Sequence, residues 1–406
     1  MMPSISDTST TRTYPPQGEA AALLRTAGLA LGPAVALGFA RFAYALLLPA
    51  MRTDLHWSYT QAGALNTANA VGYLVGAIGG AWLAHRLGTR RTFVVGLVVT
   101  TLAILASAAS SSLVVLSVLR AISGASGAAV FIAGAALAAH LATNDSRRPA
   151  LLLGVYFAGA GAGIVLSGAV VPAVLGATGP AGWPLGWLAL AALALVASAV
   201  AWLAAKDAAA PPAPPADNER DWDPRRFAPV GLGYALFGAG YIAYATFIIS
   251  YLRHEGLGNG EVSAFWVVLG LASIATTFAW GPVLARLRGG RGPAAVMAVL
   301  LAGAVLPVVA GGPVAAFASA VLFGGSFLTV VTAVTDLARR MVPGHAITAV
   351  IGALTVAFAV GQCLGPVLAG VLSDGPTGVR AGLMLSAGIL ATGLMVTLAQ
   401  HEGRRG

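Results

Sequence analysis

Long apolar runs, separated by short polar or glycine-rich joints, fill most of the chain. Twelve runs can be marked, at roughly 27–50, 59–84, 92–110, 113–141, 149–172, 183–205, 228–252, 261–286, 292–311, 313–338, 345–372 and 378–399. An α-helix needs about 20 predominantly apolar residues to cross the hydrocarbon core of a bilayer. The pattern therefore predicts an all-α membrane protein with twelve transmembrane helices.

A polar interruption divides the runs into six plus six. It contains the proline-rich segment 211–215, followed by acidic and basic residues, a composition typical of an exposed linker. We therefore expect two six-helix bundles of nearly equal size, joined on the cytoplasmic side. The predicted segments are a disordered cytoplasmic tail at 1–22, the first bundle at 23–205, the linker at 206–227, the second bundle at 228–400 and a cytoplasmic tail at 401–406.

The distribution of charge predicts the topology. The 406 residues are 58% hydrophobic and only 9% charged, with a net charge of +9. With the N-terminus inside, eighteen Lys and Arg residues fall on the cytoplasmic side and three, Arg52, Arg253 and Arg380, fall outside. This asymmetry follows the positive-inside rule. The basicity therefore indicates cytoplasmic termini rather than a nucleic-acid partner.

The two halves also repeat one another. The segment 80–90 aligns with 281–291, which lies 201 residues later, and five positions are identical. Parallel repeats of six helices imply two bundles related by an axis along the membrane normal, with a binding site between them near the midplane. We therefore expect two pseudo-symmetric bundles around a central site.

The loop after the second run resembles the signature of the major facilitator superfamily, Gly-x-x-x-Asp-Arg-x-Gly-Arg-[Lys/Arg]. Arg86, Gly88 and Arg90 fit it, while His85 stands at the aspartate position. Arg120 and its neighbours resemble the second motif of the superfamily. The resemblance implies the major facilitator fold, with gating roles for six residues near the predicted inner loops: Arg86, Gly88, Arg90, Arg286, Gly289 and Arg291.

The segment Gly38-Phe-Ala-Arg-Phe-Ala-Tyr44 with Pro49 further resembles the bacterial YbfB/YjiJ-like branch of that superfamily. This resemblance implies a multi-pass protein of the bacterial inner membrane. It adds little about the ligand, because the substrates of that branch are largely unassigned.

Arg41 lies inside the first apolar run. A guanidinium group does not lose its proton in a protein, so its side chain must face protein, water or a bound anion rather than lipid. Arginine also offers a two-pronged donor to carboxylate or phosphate. We therefore predict that Arg41 binds an anionic group of the substrate; the alternative is a structural pin held by carbonyls and tyrosines.

Other polar and aromatic residues inside the runs are candidates for the same site. Four tyrosines recur on one face of the seventh run, of which Tyr234 and Tyr251 fit an interfacial belt and the deeper pair fits a cavity. On the second run, two asparagines precede Tyr73 on one face, and interhelical hydrogen bonding is their alternative role. The predicted substrate-binding set is Arg41, Tyr44, Asn66, Asn69, Arg120, Tyr241, Tyr244 and Gln362.

Coupling to protons requires a group that changes its protonation state, and no Asp or Glu lies deep in an apolar run. Asp54, His140 and Asp336 are the coupling candidates, at predicted ends of runs. Capping a helix or pairing with a nearby arginine is the alternative role for each. Glu261 lies in a similar position.

These features predict a secondary active transporter, a symporter or antiporter, that moves a small organic anion, preferably a carboxylate, by alternating access. The alternative is a proton-coupled exporter of drugs or amphipathic metabolites, although the fifth run lacks the glycine- and proline-rich pattern typical of such exporters. The sequence contains no metal-ligand cluster and no phosphate-binding loop. We therefore expect neither an enzyme nor a bound metal or other cofactor. The expected partners are the substrate, protons if transport is coupled to them, and the lipid bilayer, with the chain acting as a monomer.

Overall fold

The computed structural model describes residues 18–144, 149–206, 222–343 and 346–402. Most of the predicted N-terminal tail, most of the predicted linker and the end of the predicted C-terminal tail lie outside the described residues. Within the described ranges the chain is helical and contains no strand.

Twelve long helices run in chain order through these ranges, and eleven of them are long and apolar enough to cross a membrane. The remaining one, α2, is 29 residues long but less apolar, because one of its faces carries asparagines. The prediction of an all-α transmembrane fold is therefore confirmed. The helices are α1 (Glu19–Asp54), α2 (Tyr59–Leu87), α3 (Thr89–Ser107), α4 (Leu113–Asn144), α5 (Pro149–Thr178), α6 (Trp183–Ala205), α7 (Ala228–His254), α8 (Asn259–Ala279), α9 (Arg291–Ala310), α10 (Gly312–Met341, interrupted at Gly325 and Ser326), α11 (Ile347–Ser373) and α12 (Val379–Leu398).

The start of α1 corrects the predicted N-terminal tail of 1–22. The helix begins at Glu19, before the apolar run starts. An acidic residue in the first turn stabilises the positive end of the helix dipole, and the following alanines have high helix propensity. Helix propensity therefore extends α1 beyond the segment that hydropathy marks.

The middle of α1 is a π-helix, Ala34–Phe42, between two α-helical parts. Its last turn closes with the Ala43 N–H donating to the Gly38 carbonyl across 2.9 Å, a spacing of five residues rather than four. π-Helical segments are rare and occur frequently at functional sites. Arg41 lies in this segment, so the irregular backbone sets the direction of its side chain.

The internal repeat has a direct structural counterpart in the loops after α2 and α8. Gly88 has φ of 86° and Gly289 has φ of 59°, both in the region that favours glycine. These two glycines are 201 positions apart, the spacing of the sequence repeat. A glycine with positive φ therefore recurs at corresponding positions of the two halves.

Contacts between the two halves join α2 to α11, α5 to α8 and α1 to α7. On α2, inter-half hydrogen bonds start from residues 59, 60, 66 and 67, in its first turns. The Ser263 hydroxyl of α8 donates to the Gly168 carbonyl of α5 across 2.7 Å. Throughout the described ranges, the hydrogen bonds between the halves lie between the middle of the molecule and the end predicted to be outer.

Candidate functional site

Arg41 is buried near the middle of α1, with 4% of its surface exposed. Its Nε and Nη2 atoms have no hydrogen-bond partner. Its guanidinium carbon lies 5.1 Å from the centre of the Tyr73 ring on α2. A cation–π contact offsets part of the desolvation of a charge, but it satisfies none of the N–H donors in the guanidinium plane. Arg41 therefore keeps unused donors in a buried position.

The surroundings of Arg41 include both halves. The ring of Phe42, the next residue, meets the ring of Phe327 on α10 edge to face, with 5.5 Å between ring centres. The carbonyl of Ala40, the preceding residue, accepts a hydrogen bond from Arg120 on α4. No Asp or Glu occurs in the apolar runs that hold these two arginines. Two buried positive charges, with no carboxylate in either apolar run, favour a bound anion.

Arg120, in contrast, is held by the protein. It is 1% exposed, and its Nη1 donates to the carbonyl of Ala40 in the π-helix, although its Nε has no partner. Its Nη2 donates to Asn66 Oδ1 across 3.1 Å, and its guanidinium carbon lies 4.8 Å from the centre of the Tyr44 ring. Arg120 thus ties α4 to α1 and α2, the arrangement expected of a packing role, and it orients the turn that carries Arg41.

The two asparagines of α2 face different partners. Asn66 Nδ2 donates to the Thr246 hydroxyl of α7 across 2.5 Å, so this residue links the halves directly. Asn69 Nδ2 donates to the Arg120 carbonyl across 3.1 Å and to the Ser123 hydroxyl across 3.2 Å. Asn69 is buried, with 1% of its surface exposed, and yet its Oδ1 has no hydrogen-bond partner.

Gln362 and Tyr241 form a pair in the second half. Gln362 Nε2 donates to the Tyr241 hydroxyl across 2.5 Å, while Gln362 Oε1 has no partner. The Tyr241 ring stacks on Phe358 at 5.7 Å and on Phe327 at 6.2 Å between ring centres. The second half thus contains a buried polar pair backed by stacked rings.

The remaining two tyrosines of the predicted binding set use their hydroxyls within the protein. Tyr44 donates to the Ala62 carbonyl across 2.8 Å. Tyr244 shares a hydrogen bond with the Ser319 hydroxyl, which in turn donates to the Gly303 carbonyl across 2.6 Å. In this conformation these phenols join neighbouring helices. Arg41, Tyr241 and Gln362 form the central group of the candidate site.

The predicted interfacial pair also lies inside the protein. Tyr234 stacks on Phe358 with 4.7 Å between ring centres, and Tyr251 donates to the Pro307 carbonyl across 3.3 Å. Both are 4% exposed. Helix α7 therefore packs an aromatic face inward along most of its length.

The predicted gating residues lie around the two glycine turns. Arg86, Arg286 and Arg291 are exposed, and Arg90 is half-buried. The Arg86 guanidinium carbon lies 5.4 Å from the Trp82 ring. The Gly289 N–H donates to a carboxylate oxygen of Glu402 across 2.8 Å. Glu402 thereby holds the turn between α8 and α9 to the segment that follows α12.

The coupling candidates lie at helix ends, away from Arg41. Asp54 accepts a hydrogen bond from Trp183 Nε1 across 2.8 Å, and Asp336 forms an ion pair with Arg340 across 2.5 Å. His140 is half-buried in the last turns of α4. In the described part of the chain, no three His, Cys, Asp or Glu residues come together as a metal site would require.

Asp374, which sequence reasoning missed, closes one end of the interface between the halves. Its carboxylate accepts hydrogen bonds from the Tyr59 and Thr60 N–H groups across 2.7 and 3.0 Å, and from the Thr60 hydroxyl across 2.6 Å. Burial alone would raise the pKa of Asp374, but these hydrogen bonds lower it below its ordinary value. The sequence around Asp374 does not indicate that its carboxylate caps α2, because the two segments are more than 300 positions apart.

Similarity to solved structures supports the same fold. A crystal structure of a point mutant of the nucleoside transporter NupG matches with a TM-score of 0.73 and 14% identity, covering 93% of this chain and 99% of that one. A bacterial homolog of the human lysosomal transporter Spinster, in an inward-facing and unoccupied conformation, matches with a TM-score of 0.70 and 14% identity, covering 93% and 97%. The same homolog in the occupied conformation matches with a TM-score of 0.70 and 16% identity, covering 92% and 96%.

Sequence comparison identifies the family more narrowly. No curated protein matches the chain. Residues 33–398 match the family described as "Uncharacterised MFS-type transporter YbfB", which confirms the resemblance in the motifs around Arg41 and Arg86. The chain belongs to this YbfB-like family of major facilitator superfamily transporters.

Proposed function

We propose that the protein is a secondary active transporter of a small organic anion, preferably a carboxylate, in the bacterial inner membrane with both termini cytoplasmic. The observation that carries the proposal is the Arg41 guanidinium, 4% exposed with Nε and Nη2 unpartnered. A carboxylate would supply the missing acceptors in the bidentate geometry that a guanidinium favours.

The second arginine strengthens the proposal. Arg120 already donates to Ala40 and Asn66, so its role is structural in this conformation. Its charge nevertheless lies beside the turn of α1 that carries Arg41. An anion between the halves would be attracted by both charges but hydrogen-bonded by only one of them.

The site also fits alternating access. Arg41 belongs to the first half, while Tyr241 and Gln362 belong to the second. A substrate that contacts both groups would bind where the halves meet, and rocking of one half against the other would expose it to each side in turn. Asp54, His140 and Asp336, the candidates for coupling to protons, lie at helix ends.

Uptake by reconstituted vesicles tests this function. Purified protein in liposomes would be assayed with a panel of labelled monocarboxylates, dicarboxylates and neutral or cationic drugs. We expect uptake of at least one carboxylate that Arg41→Ala abolishes and Arg41→Lys reduces, because lysine keeps the charge but loses the bidentate donor. Arg225→Ala, which removes an exposed arginine in the predicted linker, is the matched control and should transport normally. Carboxylate uptake that survives Arg41→Ala unchanged, or uptake of cationic drugs alone, would contradict the proposal.

A further inference from the structure

Two amide oxygens near Arg41 lack donors. Asn69 Oδ1 and Gln362 Oε1 have no hydrogen-bond partner, and their residues are 1% and 0% exposed. Buried polar atoms are nearly always paired, and leaving one unpaired is unfavourable. The site therefore contains two unused acceptors in addition to the unused donors of Arg41.

The structure ties each oxygen to the surroundings of Arg41. The Arg120 backbone carbonyl can only accept, so the Asn69 amide must turn its nitrogen toward it and leave its oxygen free. Gln362 is bonded to Tyr241, whose ring stacks on Phe327, and Phe327 meets the ring of Phe42, the residue next to Arg41. The free oxygen of Gln362 thus lies in the second half, and the free donors of Arg41 lie in the first.

Gln362 lies beside a group of stacked aromatic rings. The rings of Tyr241 and Phe358 are inclined by 11°, and those of Tyr241 and Phe327 by 18°. Phe42 of α1 meets Phe327 edge to face, with 5.5 Å between ring centres. Rings stacked in this way form an apolar surface that accommodates a planar group.

We propose that the substrate is an aromatic carboxylate that also carries a hydrogen-bond donor, a ring hydroxyl or an N–H. This inference rests on the proposed function. The carboxylate binds Arg41, the ring packs against Tyr241, Phe327 and Phe358, and the donor is accepted by Gln362 Oε1. Gln362 is then the residue that selects the substrate among aromatic anions, because a site built to accept a donor rejects analogues that lack one.

Matched probes test this selection by binding to the purified full-length protein. The probes are 3- and 4-hydroxybenzoate, the corresponding methoxybenzoates, benzoate and 4-hydroxybenzamide. The methoxy group keeps the oxygen and removes the donor, while the amide keeps the donor and removes the charge. We expect at least one hydroxybenzoate to bind about tenfold more tightly than its methoxy partner, as one additional hydrogen bond implies. The neutral amide should bind much more weakly.

The variant Gln362→Met removes the acceptor and keeps a side chain of similar length. We expect it to lose the preference for hydroxybenzoate over the corresponding methoxybenzoate. An unfolding temperature close to that of the wild type shows that the variant is folded.

The outcomes separate this inference from the proposed function. Equal binding of the hydroxy and methoxy probes by the wild type, or a preference that survives Gln362→Met, would overturn the donor inference while leaving anion transport intact. Benzoate binding that does not depend on Arg41, or no carboxylate binding at all, would instead overturn the proposed function.

Discussion

The carboxylate of Asp374 lies 2.7 Å from the backbone nitrogen of Tyr59, which is 315 positions away in the chain. Asp374 follows α11 and Tyr59 begins α2, so the contact joins the two halves at one end of the molecule. A carboxylate at a helix N-terminus satisfies free N–H groups and interacts favourably with the helix dipole. This relationship makes Asp374 a lock on the closed end.

Removing the lock should favour opening of that end. We expect Asp374→Ala to lengthen the distance between spin labels attached at Thr53 and Thr377, measured in a Cys363→Ala background by pulsed electron paramagnetic resonance. Both label positions are exposed at that end. Glu261→Ala is the matched control, because Glu261 accepts from the Gly258 N–H within its own half, across 2.8 Å. An unchanged distance distribution in Asp374→Ala would show that other contacts hold the end closed.

The same lock should depend on pH in a defined direction. The hydrogen bonds from Tyr59 and Thr60 lower the pKa of Asp374, so its stabilisation is present above the ordinary carboxyl pKa. It is lost as the pH falls through the lowered pKa. We therefore expect the label distance to stay short at pH 7 and to lengthen only below about pH 4, where an aspartate protonates. Asp374→Asn should remove this acid-dependent component, and an equal response of that variant would assign it to another group.

The two buried arginines should differ in their effect on stability. Arg120→Ala leaves the Ala40 carbonyl and Asn66 Oδ1 without a donor, and leaving a buried acceptor unsatisfied costs about 1 to 3 kcal/mol. Arg41→Ala removes a charge whose Nε and Nη2 have no partner, so its unfolding temperature should stay level or rise. Thermal unfolding of the substrate-free protein in detergent measures both. Equal destabilisation by the two substitutions would argue that Arg41 is also a structural pin.

The crossing of α1 with α5 should tolerate no added methyl group. A Cβ on Gly38 would lie 2.5 Å from the Gly163 Cα. Overpacking of this kind costs about 1 to 3 kcal/mol, so we expect Gly38→Ala to lower the unfolding temperature and to reduce transport by displacing the π-helical segment. Gly352→Ala, at a helical glycine with no atom within 4 Å of its added Cβ, should be neutral or slightly stabilising. If Gly38→Ala left the unfolding temperature and transport unchanged, the two helices could move apart at this crossing without loss of stability.

Much of the fold follows from local pattern alone. Apolar runs long enough to span a bilayer have to form helices, because the hydrocarbon core offers no other partner for backbone N–H and C=O groups. The correspondence of Gly88 and Gly289 could also be predicted from the sequence, because a backbone position with positive φ favours glycine wherever it occurs. Arg41 stood out because a charge inside an apolar run is unfavourable in every fold.

Other features depended on tertiary contacts. The bonding of Arg120 to Ala40 depends on a π-helical turn in another helix, and apolar residues with one arginine give no sequence signal for that turn. Tyr244 shared the helical face of Tyr241, yet its hydroxyl bonds Ser319 while Tyr241 faces Gln362. Helical periodicity predicts a face, but the neighbouring helix decides which residue completes each hydrogen bond.

The sequence by itself therefore determined the helices, the division into repeats and the identity of the buried charge. Each of these depends on whether a segment lies in lipid or in water, and local composition decides that. Only the tertiary structure decided that Arg41 keeps a free Nη2 while Arg120 is bonded, that Gln362 bonds Tyr241 and keeps a free oxygen, and that Asp374 closes one end of the interface between the halves. These are pairings between distant segments, and their geometry exists only once the two bundles have packed together.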